Sequence, residues 1–257
     1  MKLNQLAQQK LDENLDYNNI LPDCRLQSRQ NQYLLTSGID SPDNCLDFAH
    51  YQNYPHKVEY HYNSRGFRDA EWPQTLEELK NSIWCFGDSF TVGLGCPLEH
   101  TWPYLLSQQL NKRCINISMD GASNEWISRW ASKICTEIQP ELVIIQWSYV
   151  HRRESLDVDL SDEERRIYHI DSTLEEDLDN IKQCVLRVES VKNQTKIIHD
   201  SIPLFTDAHV SRQMLLKTLV DPARVAPYRD QLDQSRDGFH YDLQTAQNCV
   251  ADLVKLI

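Results

Sequence analysis

Glycine is scarce in this chain: seven occur in 257 residues, where average usage runs near ~7%. Signatures built on glycine are missing with it. No Gly-Lys-Ser/Thr closes a phosphate loop, and no G-x-G-x-x-G opens a dinucleotide site. Gly87-Asp88-Ser89-Phe90-Thr91 lacks the second glycine of the G-x-S-x-G elbow. Long hydrophobic runs are absent too. None approaches ~18 residues, so no membrane span is expected, and the start, Met1 to Gln9, lacks the apolar core of a signal peptide. Basic residues are outnumbered, 26 Lys and Arg against 38 Asp and Glu, for a formal net charge of −12. A surface that acidic disfavours nucleic acid and anionic membranes, which demand a basic footprint. The eight cysteines contain no C-x-x-C pair, which leaves zinc-ribbon and thioredoxin readings without support. Cys85, Cys135, Cys184 and Cys249 fall inside apolar patterns. Buried free thiols in a reducing compartment, and hence cytoplasmic residence, are expected.

What the chain does have is one organising stretch, Ile83-Trp84-Cys85-Phe86 running into Gly87-Asp88-Ser89, with Gly93 and Gly95 close behind. Three of the seven glycines fall in this loop. A buried strand that ends in a small residue and a serine presents that hydroxyl at the carboxyl edge of a sheet, where open α/β sheets bind ligands. Further strands are expected at Cys114–Ser118, Glu141–Ser148 and Lys196–Ile202. Between them lie helix-spaced apolar stripes: Trp102, Leu105, Leu106 and Leu110; Trp126, Ile127, Trp130, Ile134 and Ile138; Leu174, Leu178, Ile181, Val185 and Val188. Thr101 is expected to cap the first helix, and Ser172 with Glu175 or Thr173 with Glu176 to form a capping box for the third. A helix near Ser211 to Leu219 interrupts a long connection over residues 203–235, and a last helix starts at Leu243 with Asp242 as its cap. The alternation of strand and helix gives a three-layer α/β/α sandwich around a mostly parallel sheet. Residues 1–78 read as an N-terminal extension packed on a core over 79–257. The extension opens with a short polar helix, followed by irregular structure with short strands. Its histidines, His50, His56 and His61, read as surface or packing residues, and no metal or cofactor is expected.

Chemistry enters with Asp237-Gly238-Phe239-His240, just ahead of the last helix. One turn can set Asp237 against the far nitrogen of His240, fixing the tautomer that takes the Ser89 proton. Gly121 follows the second strand, beside the first in such a sheet. Its backbone N–H and that of Ser89 can face an oxyanion. His199 and Asp200, at a strand end, read as sheet hydrogen bonding and not as a second acid–base pair.

The blocks Gly87-Asp88-Ser89-Phe90-Thr91-x-Gly93-x-Gly95, Asn116 through Gly121-Ala122-Ser123, and Asp237-Gly238-Phe239-His240 resemble those of the SGNH (GDSL-like) hydrolase superfamily. Gly66-Phe67-Arg68 resembles a stretch ahead of the core in some relatives. The resemblance implies a flavodoxin-like fold and ester hydrolysis by acyl transfer through Ser89. One block departs from the pattern. Where the family has Gly-x-Asn-Asp, with the asparagine as third oxyanion donor, this chain has Ser148-Tyr149-Val150-His151. Val150 donates no hydrogen bond, so Ser148, His151 and Arg152 become the candidates for that role. The expectation is therefore an esterase acting on a small-molecule or carbohydrate ester, such as an O-acetyl group. An O-acyltransferase is an alternative, as is a weakly active or inactive binding protein that keeps the fold.

Overall fold

The computed structural model describes residues 21, 26–155, 157, 159–168, 171–204 and 206–257. The polar helix expected over the first twenty residues lies outside them. Ahead of the core, β1 (Tyr33–Leu34) pairs antiparallel with β2 (Tyr60–His61), and a short helix α1 (Phe48–Asn53) lies between them. Helix α2 (Leu76–Asn81) then leads into β3 (Ile83–Gly87), α3 (Ser89–Val92), α4 (Trp102–Leu110), β4 (Cys114–Ser118), α5 (Asn124–Glu137) and β5 (Leu142–Trp147). A hairpin follows, β6 (Arg152–Glu154) with β7 (Arg166–Tyr168), and then α6 (Leu174–Val191), β8 (Lys196–Ser201), α7 (Asp207–Leu219) and α8 (Leu243–Val254).

The central sheet has the order β4-β3-β5-β8, parallel throughout. Its inner strands β3 and β5 are apolar on both faces because helices cover both. Trp84 and Phe86 of β3, with Val143, Ile145 and Trp147 of β5, pack against the stripes of α5 and α6, including Trp126, Ile127, Ile134, Ile181 and Val188. The alternate residues, Ile83, Cys85 and Ile144, meet Trp102 and Leu106 of α4 and Ala246, Cys249 and Val250 of α8. This is the three-layer α/β/α sandwich expected. All seven cysteines among the described residues are free, and six of them are buried.

Several local features differ from the sequence expectation. The acidic connection before Asp171 contains the β6–β7 hairpin, held at its loop end by Arg129, which pairs with Glu154 at 2.5 Å and Asp162 at 3.0 Å. Charged strands of three residues carry no alternating apolar signal, so nothing in the pattern announces them. Helix α7 begins four residues before Ser211, because Thr206 caps it by accepting from His209 N. Of the two capping boxes considered, Thr173 with Glu176 forms. Asp242 holds the cap position of α8, but its side chain accepts nothing from the first turn. Asp233 does that work, accepting from Gln244 N at 2.6 Å and Thr245 N at 3.1 Å.

Candidate functional site

Strand β3 ends at Gly87, and the chain turns at once into the single helical turn α3. Asp88 makes that turn possible: its Oδ1 accepts from Phe90 N at 3.0 Å. The turn folds back so tightly that a Cβ on Gly87 would overlap the Thr91 hydroxyl. Ser89, the first residue of α3, is thereby fixed at the carboxyl edge of the sheet's inner strands. Its neighbour across the edge is the turn after β4, since Gly87 is in register with Ser118. Gly121 sits in that turn at φ 73°. Among the described residues, neither Ser89 N–H nor Gly121 N–H is used in a hydrogen bond.

The loop before α8 brings the other two groups. Asp237 Oδ1 accepts from Phe239 N at 2.8 Å, His240 N at 2.9 Å and Ser235 Oγ at 2.9 Å. That Asx turn leaves Oδ2 to receive His240 Nδ1–H at 2.6 Å. With its proton committed there, the imidazole offers Nε2 as acceptor to the Ser89 hydroxyl, 2.8 Å away. The three residues named from sequence thus stand in one hydrogen-bonded line. Burial pushes the Asp237 carboxyl up, but the His240 bonds outweigh it and hold the group below its ordinary value. The rings of Phe90, at 4.6 Å, and Phe239, at 5.1 Å, flank the imidazole.

The two loops are joined directly and through the N-terminal segment. Arg236 N donates to Gly95 O at 2.8 Å. Gly95, at φ +76°, approaches so closely that a Cβ there would lie 2.5 Å from Ser235 Oγ. The Arg236 guanidinium pairs with buried Asp40 at 2.6 Å. Asp40 also accepts from Tyr60 Oη at 2.6 Å, and that phenol oxygen in turn accepts from Gly95 N at 2.8 Å. Arg68, 2% exposed, spends its guanidinium on carbonyls of the same loop, among them Val92 O at 3.2 Å and Cys96 O at 2.9 Å. Sequence reading gave Asp40 and Tyr60 no role, and they carry no motif; Arg68 at least lies in the Gly-Phe-Arg segment.

Two of the three candidates for a third donor are bonded to Asp88. Ser148 Oγ donates to Asp88 Oδ2 at 2.6 Å, and Arg152 Nη1 donates to the same oxygen at 2.7 Å. Both therefore support the residue that caps α3. His151 is half-buried, with its ring 5.5 Å from that of Tyr149, and burial followed by the Arg152 charge lowers its pKa. Val150 is buried. His199 accepts from Trp147 Nε1 at 3.1 Å and meets Glu189 at 3.1 Å, while Asp200 pairs with Arg229 at 2.7 Å, the structural bonding expected of them.

No family model matches the chain, and no curated protein matches it in sequence. Solved structures do. The crystal structure of TesA is similar at a TM-score of 0.49 and 16% identity, covering 68% of this chain and 97% of that one. The acetyl xylan esterase Est2A from the rumen bacterium Butyrivibrio proteoclasticus matches at 0.48 and 13%, over 68% of this chain and 62% of its own. A family two carbohydrate esterase from Cellvibrio japonicus matches at 0.46 and 12%, over 68% and 59%. Each is a remote likeness in chain path, and the chemistry of this site rests on its own residues.

Proposed function

We propose that this protein is a serine hydrolase, an esterase that removes small acyl groups through an acyl-enzyme on Ser89. The observation that carries the reading is the His240 ring, hydrogen-bonded on one side to Asp237 and on the other to Ser89. In the first half-reaction Ser89 Oγ attacks the ester carbonyl carbon while its proton passes to His240 Nε2. Asp237, kept ionised, stabilises the imidazolium. The tetrahedral oxyanion faces the unspent N–H groups of Ser89 and Gly121. His240 then gives its proton to the leaving alcohol oxygen. Water then attacks the acyl carbonyl while His240 takes its proton. The acyl–Oγ bond breaks, His240 returns the proton to Ser89 Oγ, and the carboxylic acid leaves.

Ser89 is only 2% exposed, which suits a slim acyl group such as acetyl. An O-acetyl ester on carbohydrate is the substrate class we favour. A hole built from these two backbone donors alone would run ~10²–10³ below a three-donor hole. A fluorophosphonate probe tests the reading. An adduct on Ser89 is expected, lost in Ser89→Ala and weakened in His240→Ala. No adduct, with no hydrolysis of p-nitrophenyl acetate above Ser89→Ala, overturns the esterase and leaves a binding protein. Acetate release from an O-acetylated oligosaccharide tests the substrate class separately.

A further inference from the structure

The carboxylate of Asp242 is diverted from the cap it is placed to make. Its Oδ1 meets His100 Nδ1 at 2.6 Å, and its Oδ2 accepts from Tyr54 Oη at 2.5 Å. An aspartate at a helix cap ordinarily bonds the first-turn N–H groups, and here Asp233 does so in its place. A third side chain completes the group. His56 lies beside His100, ring centroids 4.8 Å apart and nearly perpendicular. The His56 ring also meets that of Tyr54, centroids 5.5 Å apart. One ligand atom from each of His56, His100 and Asp242 falls within 4.8 Å of the others.

We propose that His56, His100 and Asp242 bind one divalent transition cation of the zinc type. Two neutral imidazoles and one carboxylate suit zinc, cobalt or nickel, whereas magnesium and calcium demand oxygen-rich sets. Tetrahedral zinc, with bonds of about 2.0–2.1 Å, holds its ligand atoms roughly 3.3 Å apart. Closing from 4.8 Å needs a shift of about 1.5 Å, which His56 can supply, being exposed and outside any helix or strand. The burial gradient is that of an accessible site: Asp242 buried, His100 half-buried, His56 at the surface. Tyr54 supplies the outer hydrogen bond that orients a ligating carboxylate. The cation would join the segment ahead of β2, the turn Leu98–His100 and the start of α8.

The test uses the full chain stripped of metal by a chelator and titrated with Zn²⁺, with Co²⁺ as the spectroscopic probe. The expected result is one equivalent bound, tetrahedral cobalt absorption in the visible, and a Tm higher by about 5–10 °C at zinc a hundredfold above its Kd. His56→Ala, an exposed substitution that leaves the fold intact, lowers affinity at least about tenfold and removes the cobalt band. His61→Ala, also exposed but outside the group, leaves both unchanged. Absence of binding, equal binding by His56→Ala, or equal loss in His61→Ala overturns the proposal. None of these readouts depends on ester hydrolysis.

Discussion

Replacing Arg152 by Met tests whether this side chain holds Asp88 or faces the substrate. The Asp88 side chain is fully buried and that of Arg152 is 10% exposed, with 2.7 Å between them. Arg152→Met leaves the carboxylate with only the Ser148 hydroxyl and Phe90 N–H as close partners. Stranding one charge of a buried pair costs about 3–5 kcal/mol. The Arg212 guanidinium, bonded to Ser148 O, lies near enough to share the Asp88 charge. The expected loss is therefore at the low end, about 3 kcal/mol, or roughly 6–12 °C in Tm for a chain of this size. Urea unfolding followed by tryptophan fluorescence measures it. Asp88→Asn with Arg152→Met leaves no charge stranded, so the two substitutions together cost less than their sum, by about 1–3 kcal/mol. A single variant within ~0.5 kcal/mol of the parent, or additive losses, refutes the reasoning. So does slowed fluorophosphonate labelling with unchanged stability, the signature of a donor to the oxyanion.

Asp237→Asn is expected to lower kcat/KM for p-nitrophenyl acetate by about 10⁴, because the amide no longer fixes the His240 tautomer; a change under tenfold, with the urea midpoint retained, contradicts the assigned geometry. Acid stability should depend on Glu189. Burial pushes its carboxyl up, but hydrogen bonds from Arg224, His199 and Lys192 outweigh this and hold it below the ordinary range. A depressed carboxyl stabilises the fold above the unfolded value of ~4.3 and loses that contribution as pH falls through the folded value. The stability gap between the parent and Glu189→Gln should accordingly be widest at pH 6–7 and shrink below about pH 4. A gap that stays constant down to pH 3 contradicts this.

The sheet was legible in the sequence because its inner strands β3 and β5 are near-continuous apolar runs between polar turns, and each edge strand carries two isoleucines. Cys114–Ser118 matches residue for residue, and β5 is one residue shorter at each end than the run Glu141–Ser148. The helices showed through their stripes. What stayed hidden was polar and short. Helix α2 has six residues and one buried side chain, Leu79, too few to make a stripe. Ser89, Asp237 and His240 could be named because each sits where a strand or helix boundary was already visible. The fate of Ser148 and Arg152 could not, since their partner Asp88 carries no sign of being an acceptor. The pair Asp40–Arg236 spans 196 residues, a separation that leaves no trace in any local pattern.

That last pair has an evolutionary consequence. Reversing or neutralising Asp40 strands a cation on the loop of His240, and changing Arg236 strands an anion beneath Tyr60. Neither position can drift alone. Descendants of this chain should keep both or exchange both together, so that the segment around Asp40 and the loop of Arg236 and His240 are inherited as a single mechanical part.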